Sequence, residues 1–301
     1  MVKTFENTNA LAQVVLTPAE SKKLIAMAIA ELDVVKKAGT VILHPSSSTY
    51  FIVEALTGSK PKTDIWVCGA VLPKGLCGDI AIHTRRHTII RDGKPMSGPA
   101  WFAECWVIRE GKVSVGTPLA ELLSEMGPND VYIKGVNAID SQGNVGVLIG
   151  NIVEGGTIGL VISKWKEKGF NLIFPVGLEK MIPNSISKVA EETKRKDRYI
   201  YAMGLAPYML PCPPTTIVTE IKAIEILSDA TAIPMAAGGL GGAEGAMVLL
   251  IKGDKARVDK AISYVELAKG AELPPVRVPN CYDCPNPLCK FPVGGKPWVK
   301  W

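Results

Sequence analysis

The stretch from Asp130 to Pro183 decides the fold, and three parts of it carry most of the information: DVYIKGVNAIDSQGN (130–144), VGVLIGNIVEGGTIG (145–159) and FNLIFPVGLEKMIP (170–183). The first and third parts each predict a buried strand that ends in polar residues. The middle part predicts a glycine-rich loop that opens a helix. A strand, a helix and a strand in this order are typical of a parallel sheet, whose ligands bind at the carboxyl ends of the strands. We therefore expect a ligand crevice at that edge.

The regions around this stretch extend the same pattern. A helix capped by Thr17 precedes a short apolar strand at residues 40–43, and a second helix follows at residues 50–56. Residues 80–109 alternate between apolar and polar, which predicts an antiparallel, β-rich excursion from the main sheet. The predicted fold class is α/β, with a mostly parallel sheet and helices on both faces.

The pattern restarts in the C-terminal third. A helix at residues 216–228, strands at 232–237 and 246–251 and a helix capped by Asp254 predict a small α+β lobe of ferredoxin-like character. We expect four regions: an α/β ligand-binding domain at 1–198 with a β-rich insertion at about 78–110, a proline-rich linker or lid at 199–214, the lobe at 215–270 and an irregular, cysteine-containing tail at 271–301.

Composition excludes several classes of protein. The chain is 47% hydrophobic and 21% charged, as expected of a globular protein. Its net charge of +5 is dispersed apart from the short run Lys194-Arg195-Lys196, so nucleic-acid binding is not expected. No apolar run reaches the roughly 18 residues of a membrane span, and the N-terminus lacks a signal-peptide pattern. Four of the cysteines are scattered singly, which favours reduced thiols and a cytoplasmic location.

Four consecutive hydroxyl residues, Ser46, Ser47, Ser48 and Thr49, precede the helix predicted at residue 50. Side-chain hydroxyls beside the unpaired N–H groups of a helix start suit a phosphate or a carboxylate. Simple capping of the helix is the alternative explanation, and the sequence does not separate the two.

Three segments together resemble the superfamily of type A ribose-5-phosphate isomerases, glucosamine-6-phosphate deaminases, coenzyme A transferases, methenyltetrahydrofolate synthetases and the effector domains of sugar-phosphate-responsive repressors. They are GTVILHPSSSTYFIVEAL, DVYIKGVNAIDSQGN and FNLIFPVGLEKMIP, and the similarity covers about residues 16–190. The resemblance implies that the serine loop holds a substrate phosphate, that the protein is a homo-oligomer and that a set of residues binds the ligand. That set consists of Ser46, Ser47, Ser48, Thr49, Asn137, Asp140, Gly155, Gly156 and Lys180.

The chain departs from the isomerases at two positions. Their D-G-A-D turn carries carboxylates at its first and fourth places, which are Lys134 and Asn137 here. Neither side chain can act as a carboxylate base, so ribose-5-phosphate isomerase activity is not expected. Asp140 matches the aspartate of the superfamily pattern. The alternative explanation is that this aspartate only caps the turn.

Coenzyme A transferases use a glutamate nucleophile, and Glu154 before Gly155-Gly156 is the best candidate for that role. The glycines from Gly238 to Gly242 are loosely similar to the oxyanion loop of those enzymes. The simpler alternatives are that Glu154 interacts with a helix dipole and that the glycines permit a tight turn. The methenyltetrahydrofolate synthetases need a cluster of basic residues for ATP, and no such cluster surrounds Lys180, Arg85 and Arg86.

Three cysteines in the tail, Cys281, Cys284 and Cys289, have a spacing that suits one metal ion or cluster. Zinc or an iron–sulfur cluster is the expected occupant, with Cys212 as the candidate fourth ligand. Free thiols on a loop are the alternative. A second metal site, formed by His44, His83 and His87, is less favoured because no carboxylate or cysteine lies beside them at ligand spacing.

Two functions remain open. The first is an enzyme that acts on a small phosphorylated or coenzyme A-linked metabolite, and a transferase is expected rather than an isomerase. The second is a non-catalytic metabolite sensor or metal-binding assembly subunit with the same crevice, which the missing carboxylates at 134 and 137 favour. The apolar segment 199–214 is the expected interface between subunits.

Overall fold

The protein was analysed as a computed structural model that describes residues 10–78, 90–91, 94–95, 98–150, 152–153, 155–277, 280–281 and 289. The central element is a six-stranded sheet in the order β14-β12-β9-β2-β7-β8. The first four of these strands are parallel to one another. β7 is antiparallel to β2, and β8 is antiparallel to β7. The strands are β2 (Val41–Leu43), β7 (Trp106–Arg109), β8 (Lys112–Ser114), β9 (Val131–Ile133), β12 (Asn171–Pro175) and β14 (Thr216–Val218). The predicted mixed α/β fold with a mostly parallel sheet is confirmed.

Helices cover both faces of this sheet, because the strands are apolar on both sides. Val131 and Ile133 of β9 pack into one core cluster, with α1 (Pro18–Glu31), α3 (Tyr50–Thr57) and α7 (Glu220–Ser228). Tyr132 points the opposite way, into a second core cluster with α4 (Leu119–Glu125) and α5 (Gly156–Lys168). This alternation along a strand is the ordinary two-residue period of β structure.

A second sheet, in the order β1-β16-β15, is antiparallel. It consists of β1 (Ala10–Leu16), β15 (Thr231–Ala237) and β16 (Met247–Gly253), and α8 (Lys255–Ala268) packs on it. Its strand β1 comes from outside the 215–270 segment. Residues of α1, α7 and α8 share the first core cluster, so this layer packs directly against the central sheet's helices.

A third sheet, in the order β10-β11-β13, corrects two expectations. Its strands are β10 (Ala138–Ile139), β11 (Val145–Ile149) and β13 (Tyr208–Pro211). Residues 145–149 were expected to belong to a loop, and residues 208–211 to an irregular linker or lid. They pair with each other instead, from Gly146 opposite Pro211 to Ile149 opposite Tyr208. Proline is tolerated there because β13 lies at the edge of the sheet.

The expected helix at 216–228 was partly wrong, since residues 216–218 form β14 and α7 begins at Glu220. The expected first helix is also interrupted: Leu32 is extended, and α2 (Asp33–Lys36) follows it. The remaining elements are the hairpins β3 (Gly69–Leu72) with β4 (Gly75–Gly78) and β5 (Ile90–Arg91) with β6 (Lys94–Pro95), the helix α6 (Ile186–Thr193) and 3₁₀ turns at Pro99–Trp101, Leu178–Lys180 and Lys196–Arg198. Among the described residues, no helix combines the length and apolar character needed to cross a membrane.

Candidate functional site

The carboxyl ends of four parallel strands meet at one edge of the central sheet. The segments after β2, β9, β12 and β14 are His44 to Thr49, Lys134 to Asn137, Val176 to Lys180 and Thr219 to Glu220. Because the four strands run in the same direction, these segments lie side by side. We refer to this region as the crevice.

Lys180 links three of these segments. Its Nζ donates hydrogen bonds to Ser48 Oγ at 3.0 Å and to the carbonyl oxygen of Val136 at 2.9 Å. Ser48 is buried, whereas Lys180 is half-buried. The structure thus brings together two residues that the sequence assigned to one ligand site.

The serine loop does not cap the helix that follows it. Thr49 Oγ1 donates to the carbonyl oxygen of His44 at 2.6 Å and lies 3.0 Å from Ser46 Oγ. Helix α3 begins after Thr49 without a side-chain capping hydrogen bond. Ser46 and Ser47 are half-buried. Neither hydroxyl caps the helix.

Gly135 permits the close approach between this loop and the end of β9. A Cβ at residue 135 would lie 2.8 Å from Ser46 Oγ and 3.1 Å from Ser48 Cβ. Contacts that short require the Ser46 hydroxyl to rotate and Ser48 to shift by a few tenths of an ångström. The absence of a side chain at Gly135 therefore gives the serine loop room to pack where Lys180 reaches it.

Asp140 and Asn137 have structural partners. Asp140 accepts hydrogen bonds from the backbone N–H groups of Gln142, Asn144 and Ile186 and from the Asn144 amide. Burial raises the pKa of Asp140, but these hydrogen bonds outweigh it and lower the pKa below its ordinary value. Asn137 Oδ1 accepts from Leu148 N at 2.9 Å. Both side chains hold the turn after β9 against its neighbours.

A buried group of charges lies beside Lys180. Glu179 Oε1 pairs with Lys22 Nζ at 2.6 Å, while Glu179 Oε2 is buried and accepts no hydrogen bond from the described residues. Glu220 is fully buried, and both of its oxygens accept from Leu178 N at 3.0–3.1 Å. Burial and the nearby Glu179 carboxylate raise the pKa of Glu220 to about 7.

The charge of Lys180 is sensitive to the same surroundings. Burial lowers the pKa of Lys180 to about 8; Glu179 and Glu220 act against this shift, and Lys22 adds to it. The amine is therefore largely charged at neutral pH but releases its proton more easily than an ordinary lysine.

The glycine-rich segments have different positions. Gly155, with a φ of 68°, precedes α5, and a Cβ at Gly156 would contact Ile149. Glu154, the candidate nucleophile, lies outside the described residues. Gly238 to Gly242 connect β15 to β16, with φ values of 108° at Gly238 and 152° at Gly239, which only glycine adopts readily. This connection ends at Gly245, where a Cβ would come within 3.9 Å of Glu179 Cβ.

The structure describes only part of the predicted metal sites. Cys281 and Cys289 are half-buried, and Cys289 forms an isolated β-bridge with Leu205, whereas Cys284 is outside the described residues. Cys212 packs against the second core cluster. Within the described ranges, no three histidine, cysteine, aspartate or glutamate side chains are arranged to hold a metal ion. A site at the tail therefore requires Cys284 or another residue outside those ranges.

His44 is the one histidine of the second predicted metal site that the structure describes. It is buried, its ring stacks on Phe102 with 4.8 Å between centroids, and its Nδ1 lies 3.4 Å from Tyr132 Oη. His83 and His87 lie outside the described residues.

Sequence reasoning missed Glu220 in the crevice and Lys22, which pairs with the crevice residue Glu179. Lys22 precedes Ile25 and Ile29 by three and seven residues, so its position on the apolar face of α1 was a usable signal. Glu220 was missed because residues 216–218 were predicted to be helical. No strand was therefore expected to end just before Glu220.

The chain matches no protein-family profile and no curated protein. The function proposed below therefore rests on the residues of the crevice.

Proposed function

We propose that the protein binds a small phosphorylated or coenzyme A-linked metabolite in the crevice and transfers an acyl or similar group from it. We also propose that the chain has the fold of the superfamily described above. In this fold the β1-β16-β15 sheet forms a ferredoxin-like lobe. We also propose a cytoplasmic location, in keeping with the scattered single cysteines.

One observation carries the proposal: Lys180 presents its charge among hydroxyls at the junction of three strand ends. Its Nζ bonds only neutral groups, Ser48 Oγ and the Val136 carbonyl, and forms no ion pair within 4.0 Å among the described residues. The adjacent carboxylate of Glu179 is held by Lys22. A cation left without a direct counter-charge beside several hydroxyls is a site suited to an anion.

The chemistry of the loop fits the oxygen atoms of a phosphate or carboxylate. The hydroxyl of Ser47 can donate one hydrogen bond, and Lys180 can donate from its ammonium group.

Glu154 is the proposed nucleophile for group transfer. In the proposed transfer, a carboxylate oxygen of Glu154 attacks the acyl carbon of a thioester, the thiolate leaves with the bonding pair, and a mixed anhydride remains on Glu154. Glu179 is the alternative nucleophile, but its Oε1 is paired with Lys22 and its Oε2 is buried, so its side chain has to move before it can attack.

A ligand screen tests the proposal. The wild-type protein is heated with inorganic phosphate, sugar phosphates, acyl-coenzyme A thioesters and folates, and the melting temperature is recorded. We expect a rise with at least one phosphorylated compound or acyl-coenzyme A, because ligands that bind only the native state stabilise it. No rise with any of these compounds would remove the phosphate-loop assignment.

Turnover separates an enzyme from a sensor. Each stabilising ligand is incubated with wild-type protein, Glu179→Gln and Glu154→Gln, and the products are measured by mass spectrometry. Loss of turnover with retained binding in one variant identifies the nucleophile. Binding with no turnover by the wild-type protein supports the sensor function instead.

The position of the cysteine tail supports metal binding in addition to ligand binding in the crevice. The bridge between Cys289 and Leu205 fastens the tail to the 199–214 segment, and Cys281 and Cys289 are both half-buried. We propose that Cys281, Cys284 and Cys289 hold zinc or an iron–sulfur cluster, with Cys212 as a further candidate ligand. Metal analysis and a visible spectrum of freshly prepared protein test this, and three readily alkylated tail thiols without zinc or iron would contradict it.

The 199–214 segment supports the proposal of a homo-oligomer. Ile200, Tyr201 and Met203 are 81%, 71% and 48% exposed, an unusual concentration of exposed apolar side chains. We expect Tyr201→Glu to lower the molar mass measured by light scattering. An unchanged mass would place the interface elsewhere or show a monomer.

A further inference from the structure

The β1-β16-β15 sheet has one covered face and one exposed face. Helix α8 packs on the covered face, whose side chains, among them Val14 and Leu249, belong to the first core cluster. Because side chains alternate along a strand, the residues between them point to the other face. The pairing register arranges nine such residues in three rows: Leu11, Lys252 and Thr231; Gln13, Leu250 and Ile233; and Val15, Val248 and Ala236. We refer to these nine residues as the outer face.

The outer face is apolar although it is exposed to solvent. Leu11 is 64% exposed, and Val15 and Ile233 are each 40% exposed. An antiparallel sheet with one face in water ordinarily carries polar side chains on that face. Here six of the nine positions are apolar: Leu11, Val15, Ile233, Ala236, Val248 and Leu250. A contiguous apolar surface of this kind marks an interaction site.

The two edges of the sheet are closed to the addition of a further strand. On the edge strand β15, Pro234 has no backbone N–H, and the pairing register shifts between Pro234 and Ala236. On the edge strand β1, Lys269 Nζ donates to the carbonyl oxygen of Val15 at 3.0 Å. A partner therefore packs on the outer face and does not extend the sheet sideways.

The composition of the outer face favours an identical chain as the partner. Two thirds of its positions are apolar. This is close to the roughly 65% apolar area of homodimer interfaces and above the roughly 57% of non-obligate interfaces. Lys252 is the one charged residue among the nine. A partner selected by its charge would need a larger set of charges on this surface.

A two-fold axis fits the arrangement of the rows. If the axis lies between two facing copies, perpendicular to the strands and level with Leu250, each Leu250 faces the Leu250 of the other copy. Lys252 then faces Val248, because each lies two residues from Leu250 in opposite directions along β16. The two Lys252 residues are about 14 Å apart along the strand and about 10 Å apart between sheets. Like charges therefore do not oppose each other across the interface.

The size of the outer face indicates weak association. Three strands about 4.8 Å apart, each with seven residues of about 3.4 Å, cover roughly 340 Å² on each copy. A standard stable interface buries about 800 Å² on each partner. Contact over less than half of this area corresponds to a dimer that dissociates on dilution.

We propose that the outer face is a homodimer interface, formed when the outer faces of two copies of this chain pack against each other around Leu250. The outer face shares no residue with the 199–214 segment and none with the crevice. It is a second self-association surface, and it does not depend on the function proposed for the crevice.

Sedimentation velocity between about 1 and 100 μM tests the proposal. Tyr201→Glu is the reference protein, so that association through the 199–214 segment does not contribute. Ile233→Glu, added to this reference, is expected to raise the dissociation constant of the dimer at least about tenfold, because it places two carboxylates opposite each other in an apolar interface. Leu11→Glu should act in the same direction from β1. Val113→Glu, at a residue with the same 40% exposure on β8, should leave the dissociation constant unchanged.

Charge complementation tests the two-fold arrangement. Ile233 faces its own copy under this symmetry, so Ile233→Lys should also weaken the dimer. An equimolar mixture of Ile233→Lys and Ile233→Glu should form a heterodimer more tightly than either variant associates with itself. Unchanged melting temperatures establish that the variants are folded. The proposal is overturned if the reference protein remains a monomer at 100 μM, if Ile233→Glu and Leu11→Glu act no more strongly than Val113→Glu, or if the mixture associates no better than its components.

Discussion

Lys180 Nζ lies 3.0 Å from Ser48 Oγ, although 132 residues separate them along the chain. This bond joins the end of β12 to the loop after β2, and the second bond of Lys180, to the Val136 carbonyl, fastens both to the end of β9. The crevice is therefore held together by a cation. An anionic ligand would meet a positive charge that the fold has already positioned.

Gly135→Ala is expected to displace the serine loop. The new Cβ would lie 2.8 Å from Ser46 Oγ and 3.1 Å from Ser48 Cβ, so the Ser46 hydroxyl has to rotate and the loop has to shift slightly, at a cost of about 2 kcal/mol in the free energy of unfolding. Phosphate binding is expected to weaken in the same variant, because Ser46 and Ser48 shift relative to Lys180. Urea denaturation and calorimetric titration with phosphate measure the two effects.

Gly127→Ala is the matched control. A Cβ at Gly127 meets nothing within 4 Å, so we expect a change in unfolding free energy within about 0.5 kcal/mol and unchanged binding. Equal effects of the two substitutions would show that close packing at Gly135 does not position the loop.

Glu220 is expected to make the protein less stable as pH rises from acidic to neutral. Its pKa is raised from 4.5 to about 7, so the native state holds a proton that the unfolded state has released between these values. Stability from this group is fully present below about pH 4.5 and is lost as pH rises through about 7. The expected loss is about 3 kcal/mol.

The difference between wild type and Glu220→Gln isolates this effect. Glutamine can still accept from Leu178 N but does not titrate, so the variant should lack the downward slope and become the more stable protein at alkaline pH. Chemical denaturation across the pH range measures it. Parallel stability curves for the two proteins would mean that Glu220 titrates normally.

Asp140→Ala is expected to lower stability without abolishing ligand binding. The substitution leaves the buried N–H of Ile186 and the N–H groups of the turn without their acceptor, which costs about 3 kcal/mol. Asp259→Ala, at an exposed position on α8, should change stability by no more than about 0.5 kcal/mol. Loss of binding by Asp140→Ala with unchanged stability would restore Asp140 as a ligand residue.

Much of the crevice was predictable from strand ends. The apolar runs before Lys134 and Val176 each predicted a buried strand, and parallel strands place their carboxyl ends together. The superfamily resemblance added the assignment of Lys180 and the serine loop to one ligand site. It did not show that Asp140 and Asn137 bond backbone N–H groups, because a polar residue after a strand has the same appearance in either role.

The remaining elements depend on pairing between distant segments. β1 pairs with β16, from Ala10 opposite Gly253 to Leu16 opposite Met247, and no local pattern indicates that partner. β13 contains a proline and gains its pairing from β11. β14 has three residues, which are too few to show the alternation of apolar and polar side chains that identifies a strand. These residues were therefore predicted to be helical, and Glu220 was missed. In each case tertiary contacts outweigh local propensity.

Calorimetric titration with inorganic phosphate tests the central claim most directly. Wild-type protein should bind phosphate, and Lys180→Met should weaken binding at least about tenfold, since a charge-assisted hydrogen bond to a partly buried anion contributes about 1.5–3 kcal/mol. Lys188→Met, which removes the same charge from an exposed position on α6, should bind as wild type does. Equal binding by wild type and Lys180→Met, or no binding by either, would contradict the assignment of the crevice as an anion site.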